Sequence, residues 1–185
     1  MRSVNLFIAM SLDGYIADKN GDVSWLGGEA QEENDMVSYE KFIKDMDTVI
    51  MGAKTYRQLV EDILPNEWYY SDLTTYVITH HPEISSENIK FTKEDPINLI
   101  ARLRKEPGKG IWICGGASVI NQLIKADFID KYIINVIPTL LGGGIPLFSS
   151  MEMEKKLKLI GTKTYNGIVD LVYERRMPGG SIAGR

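Results

Sequence analysis

Apolar residues recur along this chain in two alternating rhythms. Short, mostly apolar runs at residues 4–10, 48–51, 75–79 and 132–137 are bounded by turn formers and predict buried strands, with a shorter one near 89–91. Between them the spacing turns helical. Over about 31–46, Met36, Tyr39, Phe42, Ile43 and Met46 recur on one face, with Glu32 and Glu33 near the start. Gly52 opens a second helix whose inner face is Tyr56, Leu59, Val60 and Ile63. Asp95-Pro96 supplies a cap and a first-turn proline for a third, which Pro107-Gly108 stops. The run Gly110-Ile111-Trp112-Ile113-Cys114-Gly115-Gly116-Ala117-Ser118-Val119-Ile120 reads as a buried strand that passes through two glycines directly into a helix. Two long strands, near 157–165 and 168–176, are joined by Asn166-Gly167, the strongest short hairpin signal.

Alternating strands and helices followed by a hairpin predict an α/β protein. Its sheet is mixed and mostly parallel, of about eight strands, flanked by helices and ending in an antiparallel hairpin. Residues 1–177 form one domain, and 178–185, opening Pro178-Gly179-Gly180-Ser181, read as a flexible tail. Such sheets bind ligands at the carboxyl ends of their strands. The residues just past those ends are Asp13-Gly14, Gly52-Ala53-Lys54-Thr55, Thr79-His80-His81 and Gly115-Gly116-Ala117-Ser118. Most are small, hydroxylated or basic, which suits a phosphate-rich cofactor. The paired glycines remove two Cβ atoms where the next helix offers unpaired N–H groups and the positive end of its dipole.

Composition narrows the classes. The chain has 185 residues, 44% hydrophobic and 25% charged, the proportions of an ordinary globular domain. A net charge of −4 gives no electrostatic case for nucleic acid or an anionic membrane surface. No apolar run reaches the length of a membrane span, and the N-terminus lacks a signal-peptide pattern, so a cytoplasmic location is expected. The single cysteine, Cys114, has no disulfide partner within the chain, and His80 and His81 are adjacent. That set does not make a metal cage, and no metal is expected.

The residues also carry a resemblance. Ala9-Met10-Ser11-Leu12-Asp13-Gly14-Tyr15-Ile16-Ala17, Trp25, Ile50-Met51-Gly52-Ala53-Lys54-Thr55-Tyr56 and Cys114-Gly115-Gly116 resemble dihydrofolate reductase-type proteins. Pro138-Thr139-Leu140-Leu141-Gly142-Gly143-Gly144-Ile145-Pro146-Leu147-Phe148 is similar to the reductase domain of the bifunctional riboflavin-biosynthesis deaminase-reductase and its stand-alone relatives. The resemblance spans roughly residues 3–176. It implies a dihydrofolate reductase-like three-layer α/β/α fold, NADPH as hydride donor and often a homodimer. Carried onto this chain, it assigns Ala9 and Ile16 to the nicotinamide and Trp25 to a loop closing over the cofactor. Gly52, Lys54 and Thr55 would hold phosphate, Thr79 and His80 would flank the adenosine end, and Gly115, Gly116, Ala117, Ser118 and Val119 would cradle the pyrophosphate.

For the substrate the pattern leaves alternatives open. A dihydrofolate reductase places a carboxylate on its first helix, and here Glu29, Glu32, Glu33 and Asp35 all lie near that place, so spacing does not select one. The riboflavin reductases carry an acid just before the paired small residues, where this chain has Cys114. Their arginines on and after the first helix are represented only by Lys41, Lys44 and Arg57, and their Asp-Asp-Pro segment has no equivalent. Ser11, Glu29, Asp35 and Cys114 are the substrate-side candidates, and no catalytic residue is assigned. Plainer readings stand beside these. Lys54 could be a solvated helix residue, Trp25 or Cys114 a core residue, and Asp13 a turn former with Gly14. Gly142, Gly143 and Gly144 suit a loop or bulge beside the final sheet. The expected activity is NADPH-dependent hydride transfer to a C=N or C=O carbon of a small substrate, with an aminouracil ribosyl phosphate favoured. Dihydrofolate reduction, or nucleotide binding without catalysis, are the alternatives.

Overall fold

The computed structural model describes residues 1–30, 36–63, 68–81, 84–152 and 154–176. In chain order its elements are β1 (Val4–Ser11), β2 (Tyr15–Ala17), α1 (Val37–Ile43), β3 (Met46–Gly52) and α2 (Ala53–Gln58). A π-helical turn (Leu59–Ile63) extends α2 and leads to β4 (Thr74–Ile78), β5 (Ile89–Thr92) and α3 (Pro96–Leu103). Next come β6 (Gly110–Gly115), α4 (Ala117–Lys125), β7 (Lys131–Ile137), β8 (Ile145–Pro146), β9 (Leu157–Tyr165) and β10 (Ile168–Arg175).

Eight strands form one sheet in the order β5-β4-β3-β6-β1-β7-β10-β9. The pairs from β5 to β7 are parallel, and β10 runs antiparallel to both β7 and β9. Helices cover both faces, which is why the central strands are apolar throughout rather than alternating. On one face Leu99 and Leu103 of α3 and Ile120 and Leu123 of α4 pack with Val4, Leu6, Ile50 and Ile113. On the other, Phe42 of α1 and Ala53 and Tyr56 of α2 pack with Val49, Met51, Val77 and Trp112. Each fully buried aliphatic side chain here stabilises the fold by about 1.5–3 kcal/mol.

Local signals set most boundaries. Asp95 caps α3, its carboxylate accepting from the N–H groups of Ile97 and Asn98, with Pro96 in the first turn. The turn between β9 and β10 has φ of 45° at Asn166 and 74° at Gly167, both left-handed as a two-residue hairpin requires. Other expectations needed correction. The first helix is shorter than its apolar spacing suggested: Met36 is exposed, Met46 already begins β3, and residues 31–35, with Glu32 and Glu33, lie outside the described residues. Ile63 is exposed rather than on an inner face, because the helix changes pitch at Leu59. The tail, 178–185, also lies outside the described residues.

β2 and β8, too short to leave a periodic signal, pair antiparallel in a second, two-stranded sheet. Gly142, Gly143 and Gly144 form a loop, as expected, and the sheet it serves is this short pair. Their φ values are 67°, 156° and 146°, and a Cβ on Gly144 would collide with the Ala17 carbonyl.

Candidate functional site

Neighbouring parallel strands β3 and β6 each turn straight into a helix at the carboxyl edge of the sheet. The residues that precede these helices, Gly52 (φ −80°, ψ 158°) and Gly116 (φ −65°, ψ 171°), are extended and supply no side-chain cap. Neither residue offers a side chain to the first-turn N–H groups of α2 or α4, and both helix dipoles point to the same edge. The glycines bring them together. A Cβ on Gly115 would lie 3.3 Å from Thr55 Oγ1 and 3.4 Å from its Cγ2, and one on Gly116 would lie 3.3 Å from the same hydroxyl. A Cβ on Gly52 would stand 3.6 Å from Val119 Cγ2 and 3.9 Å from the Gly116 nitrogen. The pair therefore first admits Thr55, letting α2 close onto α4. Lys54 and Ser118 stand exposed on the two opening turns. Eight expected cofactor residues meet here: Gly52, Lys54, Thr55, Gly115, Gly116, Ala117, Ser118 and Val119. Val119, buried in the core, turns its side chain under Gly52 and offers only its backbone to the edge.

The other cofactor candidates are more scattered. Ala9 is half-buried near the end of β1, and Ile16 is half-buried against the α3–α4 core. Trp25 belongs to neither core: it is half-buried in the loop after β2, where its indole N–H donates to the Asp22 carbonyl at 3.2 Å. Gln58 ties that loop to α2 through the Gly21 carbonyl at 2.7 Å. Thr79 is buried, its hydroxyl accepting from the His81 N–H at 3.1 Å, while His80 and His81 are exposed.

Ser11 is not available to a substrate. It is fully buried, donates to Asp13 Oδ1 at 2.6 Å and accepts from the Tyr15 N–H at 3.0 Å. Asp13 goes on to accept from the N–H groups of Leu141 at 3.1 Å and Gly142 at 2.7 Å. It thereby clips the glycine loop to the turn after β1. The Ser11 hydroxyl foremost, then the Leu141 and Gly142 N–H groups, hold the Asp13 carboxyl below its ordinary value.

On the α1 face, Cys114 is half-buried at a bulge: Ile113 pairs with Ile50 and Gly115 with Met51, so Cys114 has no partner on β3. Burial pushes its thiol up to about 12, against the lowering effect of a hydrogen bond with the Tyr70 hydroxyl. Burial foremost, and then Cys114 itself, raises Tyr70 as well. The thiol is therefore kept protonated among aromatic rings, and the chemistry of an acid at this position is absent. Tyr39 of α1 closes over the same group, 5.7 Å between centroids from Trp112 and 6.1 Å from Tyr69. Glu29 is exposed against the hairpin turn, where a Cβ on Gly167 would lie 2.6 Å from its Cγ. Asn166 clasps the same loop, accepting from the Ala30 N–H at 2.7 Å and donating to the Ala30 carbonyl at 2.9 Å. Asp35 lies outside the described residues. Sequence reasoning passed over a buried carboxyl on the same face, Asp170, and the Asn135 amide beside it. Both sit inside apolar strand patterns and reveal themselves only by burial.

A mostly parallel eight-stranded sheet closed by an antiparallel hairpin, with two helix starts converging at its carboxyl edge, is the α/β scaffold that the sequence resemblance to dihydrofolate reductase-like proteins implied. The chain belongs to the RibD C-terminal domain family, which matches it over residues 2–171. YwjB of Bacillus subtilis (strain 168) is 43% identical over 175 residues, covering 94% of this chain and 98% of that protein. YyaP of the same organism is 31% identical over 183 residues, covering 93% and 94%. The riboflavin biosynthesis protein RibD of Haemophilus influenzae is 28% identical over 184 residues, and the match takes in 48% of RibD. Among solved structures, a Shewanella sp. PV-4 protein named for riboflavin biosynthesis superposes with a TM-score of 0.83 at 28% identity, covering 95% of this chain and 99% of that one. The Thermotoga maritima diaminohydroxyphosphoribosylaminopyrimidine deaminase/5-amino-6-(5-phosphoribosylamino)uracil reductase shares the fold, with a TM-score of 0.68 at 17% identity over 57% of its length.

Proposed function

We propose that this protein is an NADPH-dependent reductase acting on a small heterocyclic substrate, with a riboflavin-type aminouracil ribosyl phosphate the favoured one, and that it works as a homodimer. The observation that carries the cofactor is the meeting of two uncapped helix starts around Gly115 and Gly116 with Lys54 exposed beside them. Backbone N–H groups, aligned dipoles and one ammonium are what a pyrophosphate and a further phosphate require, so the residues fit the group. When bound, NADPH supplies a hydride from its nicotinamide. The chain's own task is positioning: Ala9 and Ile16 would border the nicotinamide, and the Trp25 loop, tethered to α2 by Gln58, would cover it and keep water out. Thr79 and His80, past the end of β4, would meet the adenosine end.

The pyrimidine assignment draws on the sequence resemblance and on family membership, beside a Haemophilus relative named for riboflavin biosynthesis. Cys114, with its protonated thiol, cannot give the charge-assisted hydrogen bond of an acid, so this position does not supply the acid that the riboflavin reductases carry there. Titration with NADPH, followed by tryptophan fluorescence and repeated with NADH and with Trp25→Phe, tests the reading. Micromolar NADPH binding whose quenching disappears in Trp25→Phe is expected, followed by NADPH consumption with the aminouracil ribosyl phosphate. Failure to bind either nucleotide would remove the reductase assignment.

A further inference from the structure

The nucleotide-binding helix ends leave one buried polar cluster without a task. Asp170 on β10 is 3% exposed and Asn135 on β7 is 6% exposed. The Asn135 Nδ2 donates to Asp170 Oδ1, the Tyr165 hydroxyl donates to the same oxygen at 3.0 Å, and the Ser38 hydroxyl of α1 donates to Oδ2. Among the described residues no ion pair includes Asp170. Lys163, its partner across the ladder, is exposed with its ammonium 4.9 Å from the Tyr165 ring centre.

The register places this cluster at the candidate site. Ala9 pairs with Asn135, and Asn135 with Asp170, so the three form one row across β1, β7 and β10. Phe7 and Ile133, two residues earlier on β1 and β7, pack in the core beneath α1, and Ser38 reaches the row from α1 itself. The row therefore faces α1. Ala9 contributes only a methyl group on the side of Asn135 away from Asp170.

With Nδ2 committed to Asp170, a planar amide turns Oδ1 toward the Ala9 side. That oxygen makes no hydrogen bond among the described residues. Nor is it sealed from solvent: Arg104 Nε is the enclosed side-chain atom without a partner among them. A flipped amide would bring Oδ1 against a carboxylate that already accepts from Tyr165, two acceptors facing each other. Asp170 thus fixes which end of the amide faces the ligand side. Three donors already occupy its own two oxygens, so it acts through Asn135.

We propose that Asn135 Oδ1 reads a ring N–H, a lactam or imide donor of the substrate, and that Asp170 is the positioning residue that keeps this acceptor facing the ring. The proposal rests on the pyrimidine reading above and deepens it: this face would select rings with a free N–H and reject those in which it is capped.

Calorimetric titration of diaminouracil and of its analogue methylated on both ring nitrogens, each with wild type, Asn135→Leu and Asp170→Asn, tests this. NADPH titration of the same three proteins runs in parallel. Wild type should prefer the free ring by about tenfold or more, the cost of one unmade buried hydrogen bond. Asn135→Leu should bind the two rings about equally. Asp170→Asn, which offers the amide both a donor and an acceptor, should lose most of the preference, with NADPH affinity unchanged in both variants. A preference that persists in Asn135→Leu, or equal binding of both rings by wild type, overturns the proposal and leaves the reductase reading standing. If Asn135→Leu does not fold, an unchanged preference in Asp170→Asn overturns the positioning role. Wild type that binds NADPH but neither ring removes the pyrimidine reading and this proposal together.

Discussion

Lys54 is the simplest residue to put to the test, because it is exposed, sits on the opening turn of α2 and makes no contact that the fold needs. Lys54→Ala should leave thermal stability within about 0.5 kcal/mol. If its ammonium meets a phosphate carried only by NADPH, the variant should weaken NADPH about tenfold and NADH hardly at all; if it meets the pyrophosphate, both weaken alike. Unchanged affinity for both would return Lys54 to an ordinary solvated lysine. Asp13 answers to pH instead. Its carboxyl is depressed on folding, first by the Ser11 hydroxyl and then by the Leu141 and Gly142 N–H groups. A depressed carboxyl contributes stability above its unfolded value, ordinarily 3.8, and loses it as pH falls through the folded value. Protection of the Leu141 and Gly142 amides, corrected for intrinsic exchange, should therefore fall on acidification through and below the ordinary carboxylate range. Asp13→Ala should show that lower protection already at neutral pH. Equal protection in wild type and Asp13→Ala at neutral pH would mean that the β2–β8 pairing alone holds the loop.

At the scale of elements, the question is what the paired glycines are for. The sequence shows a strand that becomes a helix through Gly115-Gly116, and a ligand against bare backbone is the natural reading. The structure puts Thr55 of the neighbouring helix in that space, so the glycines set the distance between two helix starts. Gly115→Ala should push α2 outward, costing roughly 1–3 kcal/mol of stability, as overpacking does, and weakening NADPH. Thr55→Ala removes the hydroxyl and the methyl 3.3 and 3.4 Å from the new Cβ and leaves only the Thr55 Cβ, at 4.0 Å. Adding it to Gly115→Ala should recover most of the lost stability, as neighbouring sites couple. Failure of the double variant to recover would place the strain in the Gly115 backbone rather than at Thr55. This coupling was not legible in the chain, because residues 60 positions apart in sequence share no local pattern. The same holds for Asn135 and Asp170. Each is a polar residue between apolar neighbours in its strand, and only the register that sets them side by side gives them a task.

For the whole molecule, local chemistry carried most of the architecture. Apolar runs, the Asp95-Pro96 start and the Asn166-Gly167 turn are enough to derive a mixed sheet closed by a hairpin, and the eight-stranded sheet agrees. Strand order was not available from them: β6 slots between β3 and β1 only because long crossovers allow it. Assembly is a further property that no local pattern encodes, yet the sheet's outer edge bears on it. β9 is a nine-residue edge strand with Leu159 52% and Ile160 43% exposed, and Ile160 falls where the β9–β10 register shifts. Among the described residues no strand pairs with the outer side of β9, and an edge of this length with bare aliphatic side chains is a template for association unless something covers it. In the proposed homodimer a second copy covers it. Sedimentation equilibrium at micromolar concentration should then give twice the chain mass. Leu159→Lys, which puts a charge into that contact, should shift the equilibrium toward single chains while the unfolding free energy of the monomer changes by no more than about 0.5 kcal/mol. A wild-type monomer at tens of micromolar would rule the dimer out. A dimer indifferent to Leu159→Lys would move the contact away from β9 to another face.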